Sequence, residues 1–166
     1  MDISGSTLDL GGDFLKSSGT ILDNSTTDLA LSGDSKLTSD VALSFVNLNL
    51  NDFTLTLGSP TSDLTVENAI TIDASTEGIS TSEADLTVEG GFTLAKGKLE
   101  STSGELIFKK GGTQSGSSEF DLGASTLKLG AVLTKTSGNL DSSLATLYLL
   151  ADLSISSDSA LYFNQL

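Results

Sequence analysis

The chain has 166 residues, and 22 Asp plus Glu against 8 Lys, with no Arg, set its net charge at −14. Such a field repels phosphate backbones and anionic lipid, so no nucleic-acid partner is expected; the longest nearly apolar run, Leu144 to Ala151, is too short to span a membrane as a helix, so no membrane insertion is expected either. Cys, His and Trp are absent, which excludes disulfides, thiolate metal sites and histidine proton shuttles.

Along the chain, the pattern x-Leu-x-(Leu/Val/Phe) has its first apolar residue at Leu8, Leu29, Leu48, Leu64, Leu86, Leu106, Leu127 and Leu147, with successive steps of 21, 19, 16, 22, 20, 21 and 20 residues. Alternation with period two places these leucines on one face of short strands and their polar neighbours on the other. A second apolar group follows in several cycles, at Phe14 and Leu15, at Leu37, at Ile70 and Ile72, and at Phe92 and Leu94. A third closes some of them, at Ile21 and Leu22, at Leu99, at Phe120 and Leu122, and at Leu140 and Leu144. Breaks rich in Gly, Ser, Asn and Asp separate the groups, as at Gly11-Gly12, Gly33-Asp34, Gly111-Gly112 and Gly138-Asn139, and the one proline, Pro60, sits in the turn Gly58 to Thr61.

A single strand cannot bury such a face, whereas a stack of equivalent turns can. The spacing therefore predicts an all-β fold, a parallel β-helix (β-solenoid) of about eight turns with a period near 20 residues, forming one domain over residues 1–166. The 16-residue step coincides with Val41 to Leu57, where three alternating runs follow almost without a break, so a longer strand or a displaced corner is expected there. Leu144, Leu147, Leu150 and Asp152 also permit a short helix, but Thr146-Leu147-Tyr148-Leu149 fits the strand register. A β-sandwich or an antiparallel barrel would need hairpin turns of the Asn-Gly or Asp-Gly type, which the chain lacks. No basic, apolar leader follows Met1, so any export signal is expected to lie outside this sequence.

Candidate chemistry rests on carboxylates and Lys alone. Asp13, Asp34, Asp63, Asp85 and Glu105 fall at turns or strand edges and read as solvated charges, so no catalytic residue is assigned and the chain is read as a non-enzyme. The calcium patterns G-G-x-G-x-D and D-x-D-x-D-G are missing, so no metal or cofactor is expected. Lys109-Lys110 reads as a solvated turn relieving charge beside Glu105. Asn47, Asn49 and Asn51 share a strand face and offer either an amide ladder between turns or contacts to a polar ligand, the ladder being the favoured reading. Thr54-x-Thr56 resembles the threonine arrays of ice-binding solenoids, though strand propensity accounts for a single pair.

The repeats TLDLGGDFLKSSGTILDNST (Thr7 to Thr26) and TLKLGAVLTKTSGNLDSSLA (Thr126 to Ala145) resemble the Ser/Thr/Gly-rich turns of bacterial filamentous-haemagglutinin-like and autotransporter-passenger surface proteins. The resemblance implies a right-handed parallel β-helix that is extracellular or on the bacterial cell surface, and it carries over no functional residue. The expected function is structural or adhesive, with host or cell-surface carbohydrate as a partner class; the alternative is a β-helix that binds or cleaves carbohydrate. Solenoids normally cap their ends, yet Ala160 to Leu166 alternates like a strand and carries no charged side chain. Head-to-tail homo-oligomers or filaments are therefore expected, with Leu8, Leu10, Leu161, Tyr162 and Phe163 at the contact.

Overall fold

A computed structural model describes residues 5–17, 26–151 and 153–165; Ile21, Leu22, Asp152 and Leu166, named above, lie outside them. Short strands follow one another around the turns. In chain order they are β1 (Thr7–Leu10), β2 (Phe14–Lys16), β3 (Asp28–Leu31), β4 (Ser35–Ser39), β5 (Leu43–Phe45), β6 (Leu48–Asn49) and β7 (Thr54–Leu57). Then come β8 (Leu64–Val66), β9 (Ile70–Ile72), β10 (Gly78–Ser80), β11 (Leu86–Val88), β12 (Phe92–Leu94), β13 (Lys98–Glu100) and β14 (Glu105–Phe108). The last are β15 (Gly112–Gln114), β16 (Glu119–Asp121), β17 (Thr126–Leu129), β18 (Leu133–Lys135), β19 (Asn139–Asp141), β20 (Thr146–Leu149) and β21 (Ile155–Ser157). No helix occurs among the described residues.

Every strand pairs in parallel with its equivalent one turn away, which makes the chain a β-solenoid of about 7 turns and a period of about 21 residues. Three walls result. The first is seven-stranded (β2, β4, β7, β10, β13, β16, β19) and the second six-stranded (β5, β8, β11, β14, β17, β20). The third wall is split into a three-stranded part, β1-β3-β6, and a five-stranded part, β9-β12-β15-β18-β21.

The split explains the 16-residue step. Leu8, Leu29 and Leu48 align with one another on the third wall, whereas Leu64, Leu86, Leu106, Leu127 and Leu147 align on the second, led by Leu43. The eight leucines thus belong to two columns on different walls, and counting them as one overstates the number of turns by about one. β5, β6 and β7 round three walls in quick succession. Asn51 and Asp52, both left-handed at φ 51° and 70°, close one of those corners, and Phe53 N donates to Leu50 O at 3.0 Å across it.

The core lies inside the walls. Leu86, Val88, Phe92, Leu94, Leu106 and Phe108 point inward and are buried, as their alternation predicts. Phe92, Phe108 and Phe120, one from each wall, meet there: the first two stack with centroids 4.5 Å apart, and Phe120 is tilted against both at 6.1 Å. Two residues of the apolar groups lie outside the core. Leu15 and Leu144 are exposed, because each sits one position out of phase with the inward side chains of its turn. The helical alternative over Leu144 to Leu153 is replaced by β20, held in register by β17.

Candidate functional site

The five candidate carboxylates are dispersed along the corners. Four of them tie neighbouring turns together: Asp13 accepts from Lys36 N (3.1 Å), Asp34 from Thr54 N (2.8 Å), Asp63 from Asp85 N (3.0 Å) and Asp85 from Glu105 N (2.7 Å). Glu105 pairs with Lys128, and Lys109 pairs with Glu89 at 2.9 Å, not with Glu105. The reason is register: Lys109 N bonds Val88 O, which puts its side chain beside the residue after Val88. Burial, reinforced by the like charges of Asp63 and Glu105, holds the Asp85 carboxyl above its usual range. Among the described residues, no group of three or more Asp or Glu is placed to hold a metal ion.

Asn47 does form a ladder. Its Nδ2 donates to Asp28 at 2.7 Å, and Asn68 Nδ2 donates to its Oδ1 at 3.0 Å. Asn51 instead donates to Leu31 O at 2.9 Å, while Asn49 stays exposed.

At the first rung, Leu10 is buried and Leu8 half-buried, both packed on the core. At the last, the chain only partly covers itself. Ser142 Oγ donates to Tyr162 O (2.7 Å), Asn164 N to Ala145 O (2.8 Å) and Leu147 N to Gln165 O (3.0 Å), so residues 162–165 lie over the start of β20. Phe163 packs against the core and Leu161 is half-buried, whereas Tyr162 is 74% exposed. The far half of β20 is open: Leu149 is 46% exposed, although its column partners Leu129 and Phe108 are at 0%. Leu150, Leu144 and Tyr162, in the same last part of the chain, are exposed as well. The sequence does not mark Leu149 as exposed, because TLYL has the same alternation as any covered rung.

Near both ends a lysine stem enters the core. Lys16 and Lys135 are buried, and their ammonium groups reach Asp40 and Asp158 on the next turn, whose carboxyls are held below the ordinary range by hydrogen bonds from those lysines.

The walls differ in charge. Outward positions of the first wall carry Lys98, Glu100, Glu119 and Asp121, and those of the second carry Asp85, Glu105, Lys128, Glu67 and Glu89. The five-stranded part of the third wall carries a column of hydroxyls at its centre: Thr71, Thr93, Thr113, Thr134 and Ser156 stand in register. Its flanking positions over β12, β15 and β18 are Gly91, Ala95, Gly111, Ser115, Val132 and Thr136, all uncharged. At the head of this column the wall is interrupted. β6 pairs only with β3 and β9 only with β12, and between them opens a cleft of about 410 Å³ lined by Asn49, Asn51, Asp52, Ala69, Thr71 and Glu77 among others. Glu77 braces it: its carboxylate accepts from Asp73 N (2.9 Å), Ala74 N (3.2 Å) and Asp52 N (3.3 Å).

No family model matches the chain, and it matches no curated protein and no solved structure.

Proposed function

We propose that this chain is a non-enzymatic structural or adhesive element of a bacterial cell surface, a solenoid rod that joins further copies of itself end to end. The observation that carries the reading is the open last rung, where Leu149 loses the cover its column gives to every inner equivalent. A further turn laid on the far half of β20 and on β21 would bury Leu149 and pair the open backbone edge, as each turn does for the one before it. The first rung supplies a complementary edge: β1, on the third wall as β21 is, has no described strand on its outer side. A cell-surface location is supported by the Ser/Thr/Gly-rich repeats and their resemblance to passenger solenoids.

Sedimentation velocity over a range of protein and salt concentrations tests it. Species larger than monomer should grow with both, because salt screens the repulsion between highly acidic chains. Leu149→Lys should return the protein to monomer without lowering its melting temperature. Monomer alone at high concentration and ionic strength, or unchanged assembly in Leu149→Lys, would remove the proposal.

A further inference from the structure

The third wall combines a cleft that has unpaired backbone groups with a column of uncharged hydroxyls running away from it. Backbone direction shows where the unpaired groups point. Ile70 N and Ile72 O both bond the β12 side, so the N–H and C=O of Thr71, between them, face the seam. On the opposite lip, Asn47 O bonds β3, which turns the N–H and C=O of Leu48 toward the same gap. None of these four groups has a backbone partner among the described residues. The cleft thus offers two donors and two acceptors on fixed lips, with the Asn49 amide and the Asn51 side-chain oxygen beside them and the Asp52 and Glu77 carboxylates also in the lining, in a volume typical of a small-ligand pocket.

From Thr71 the column continues for four further rungs, a length of about 19 Å at about 4.8 Å per step. The hydroxyls of Thr71, Thr93, Thr113 and Thr134 make no protein hydrogen bond among the described residues, and threonine's branched Cβ restricts the rotamers open to them. Each is both donor and acceptor. A chain with a net charge of −14 has kept charge off the flanks of three successive rungs here, while the other two walls bear carboxylates and lysines.

We infer that the third wall is a binding site for a neutral polysaccharide, with one sugar in the cleft and the following sugars along the hydroxyl column. The ligand's chemistry follows from the lining. A polymer of hydroxyls supplies both donors and acceptors to the lips and to every threonine, whereas an acidic polymer would be repelled by the rest of the surface. Repetition along the column adds weak contacts into useful avidity. This inference rests on the adhesive reading of the protein but not on its end-to-end assembly.

Affinity electrophoresis in native gels containing hydroxyethyl cellulose, or its acidic counterpart carboxymethyl cellulose, tests the inference. The protein should be retarded by the neutral polymer and not by the acidic one. Thr113→Glu and Asn49→Ala should each lose most of the retardation, while Thr87→Glu on the second wall should keep it, with unchanged circular dichroism melts for all three. Leu149→Lys, designed to be monomeric, should still be retarded, which separates this site from assembly. Equal migration with and without the neutral polymer, retardation insensitive to Thr113→Glu, or faceting of ice crystals without polymer retardation would overturn the assignment, the last by giving the column to a water lattice.

Discussion

Phe108→Ala cuts the core where all three walls meet. Phe108 is fully buried, stacked face to face on Phe92 at an interplanar angle of 7° and tilted at 43° to Phe120. Truncating a buried Phe to Ala costs about 3–5 kcal/mol, including its share of aromatic contacts worth about 0.5–1.5 kcal/mol per pair. For a chain of this size each kcal/mol shifts the melting temperature by about 2–4 °C, so a loss near 4 kcal/mol should appear as about 8–16 °C. Phe108→Leu keeps most of the volume and should recover more than half of that loss. Thermal and urea melts followed by circular dichroism measure both, and hydrogen exchange should show β11, β14 and β17 losing protection before β4 and β7, because each turn is stabilised by its neighbours. Tyr148→Ala, on an outward position of the same wall, is the control and should change stability by less than about 0.5 kcal/mol. A Phe108→Ala protein that melts within about 2 °C of its parent would mean that the ring cluster and the inward register assigned to β14 are wrong.

Backbone and charge give further tests. Gly116 has φ +64° and its missing Cβ would collide with the Ala95 carbonyl oxygen, so Gly116→Ala should destabilise by well over the ~1 kcal/mol that a left-handed residue alone costs, read from urea midpoints. Asp85, whose carboxyl is raised in the fold, is a liability above its folded pKa that is relieved as pH falls through it; Asp85→Asn should raise the melting temperature at neutral pH, with the gain vanishing once the parent carboxyl is protonated. Asp40 is the opposite case: its lowered carboxyl contributes stability above the ordinary Asp range that is lost as pH falls through the folded value, so Asp40→Asn should lower the neutral-pH melt and leave the acid melt unchanged.

Strand positions, inward faces and the solenoid itself were legible in the sequence, because period-two alternation and a recurring Gly/Ser/Asp break act over a few residues and repeat. Leu86, Val88, Leu106 and Phe108 are buried for the reason their neighbours Thr87 and Ile107 are not. The wall on which each strand lies was not legible. The pattern x-Leu-x-Leu is the same on every wall, and corner length decides where the chain turns, so Leu48 and Leu64 look like neighbours in one column although they stand on different walls. The same holds for the hydroxyl column. Thr71, Thr93, Thr113 and Thr134 each read as ordinary strand residues, and only pairing across some twenty positions brings them into line. The seam between β6 and β9 is more remote still from local sequence, since it arises where the tight Asn51-Asp52 corner of one turn faces the longer Asp73–Glu77 corner of the next. A strand's own residues set which side chains face inward; which backbone edge finds a partner depends on the shape of the turn stacked beside it, and that is a property of two turns at once.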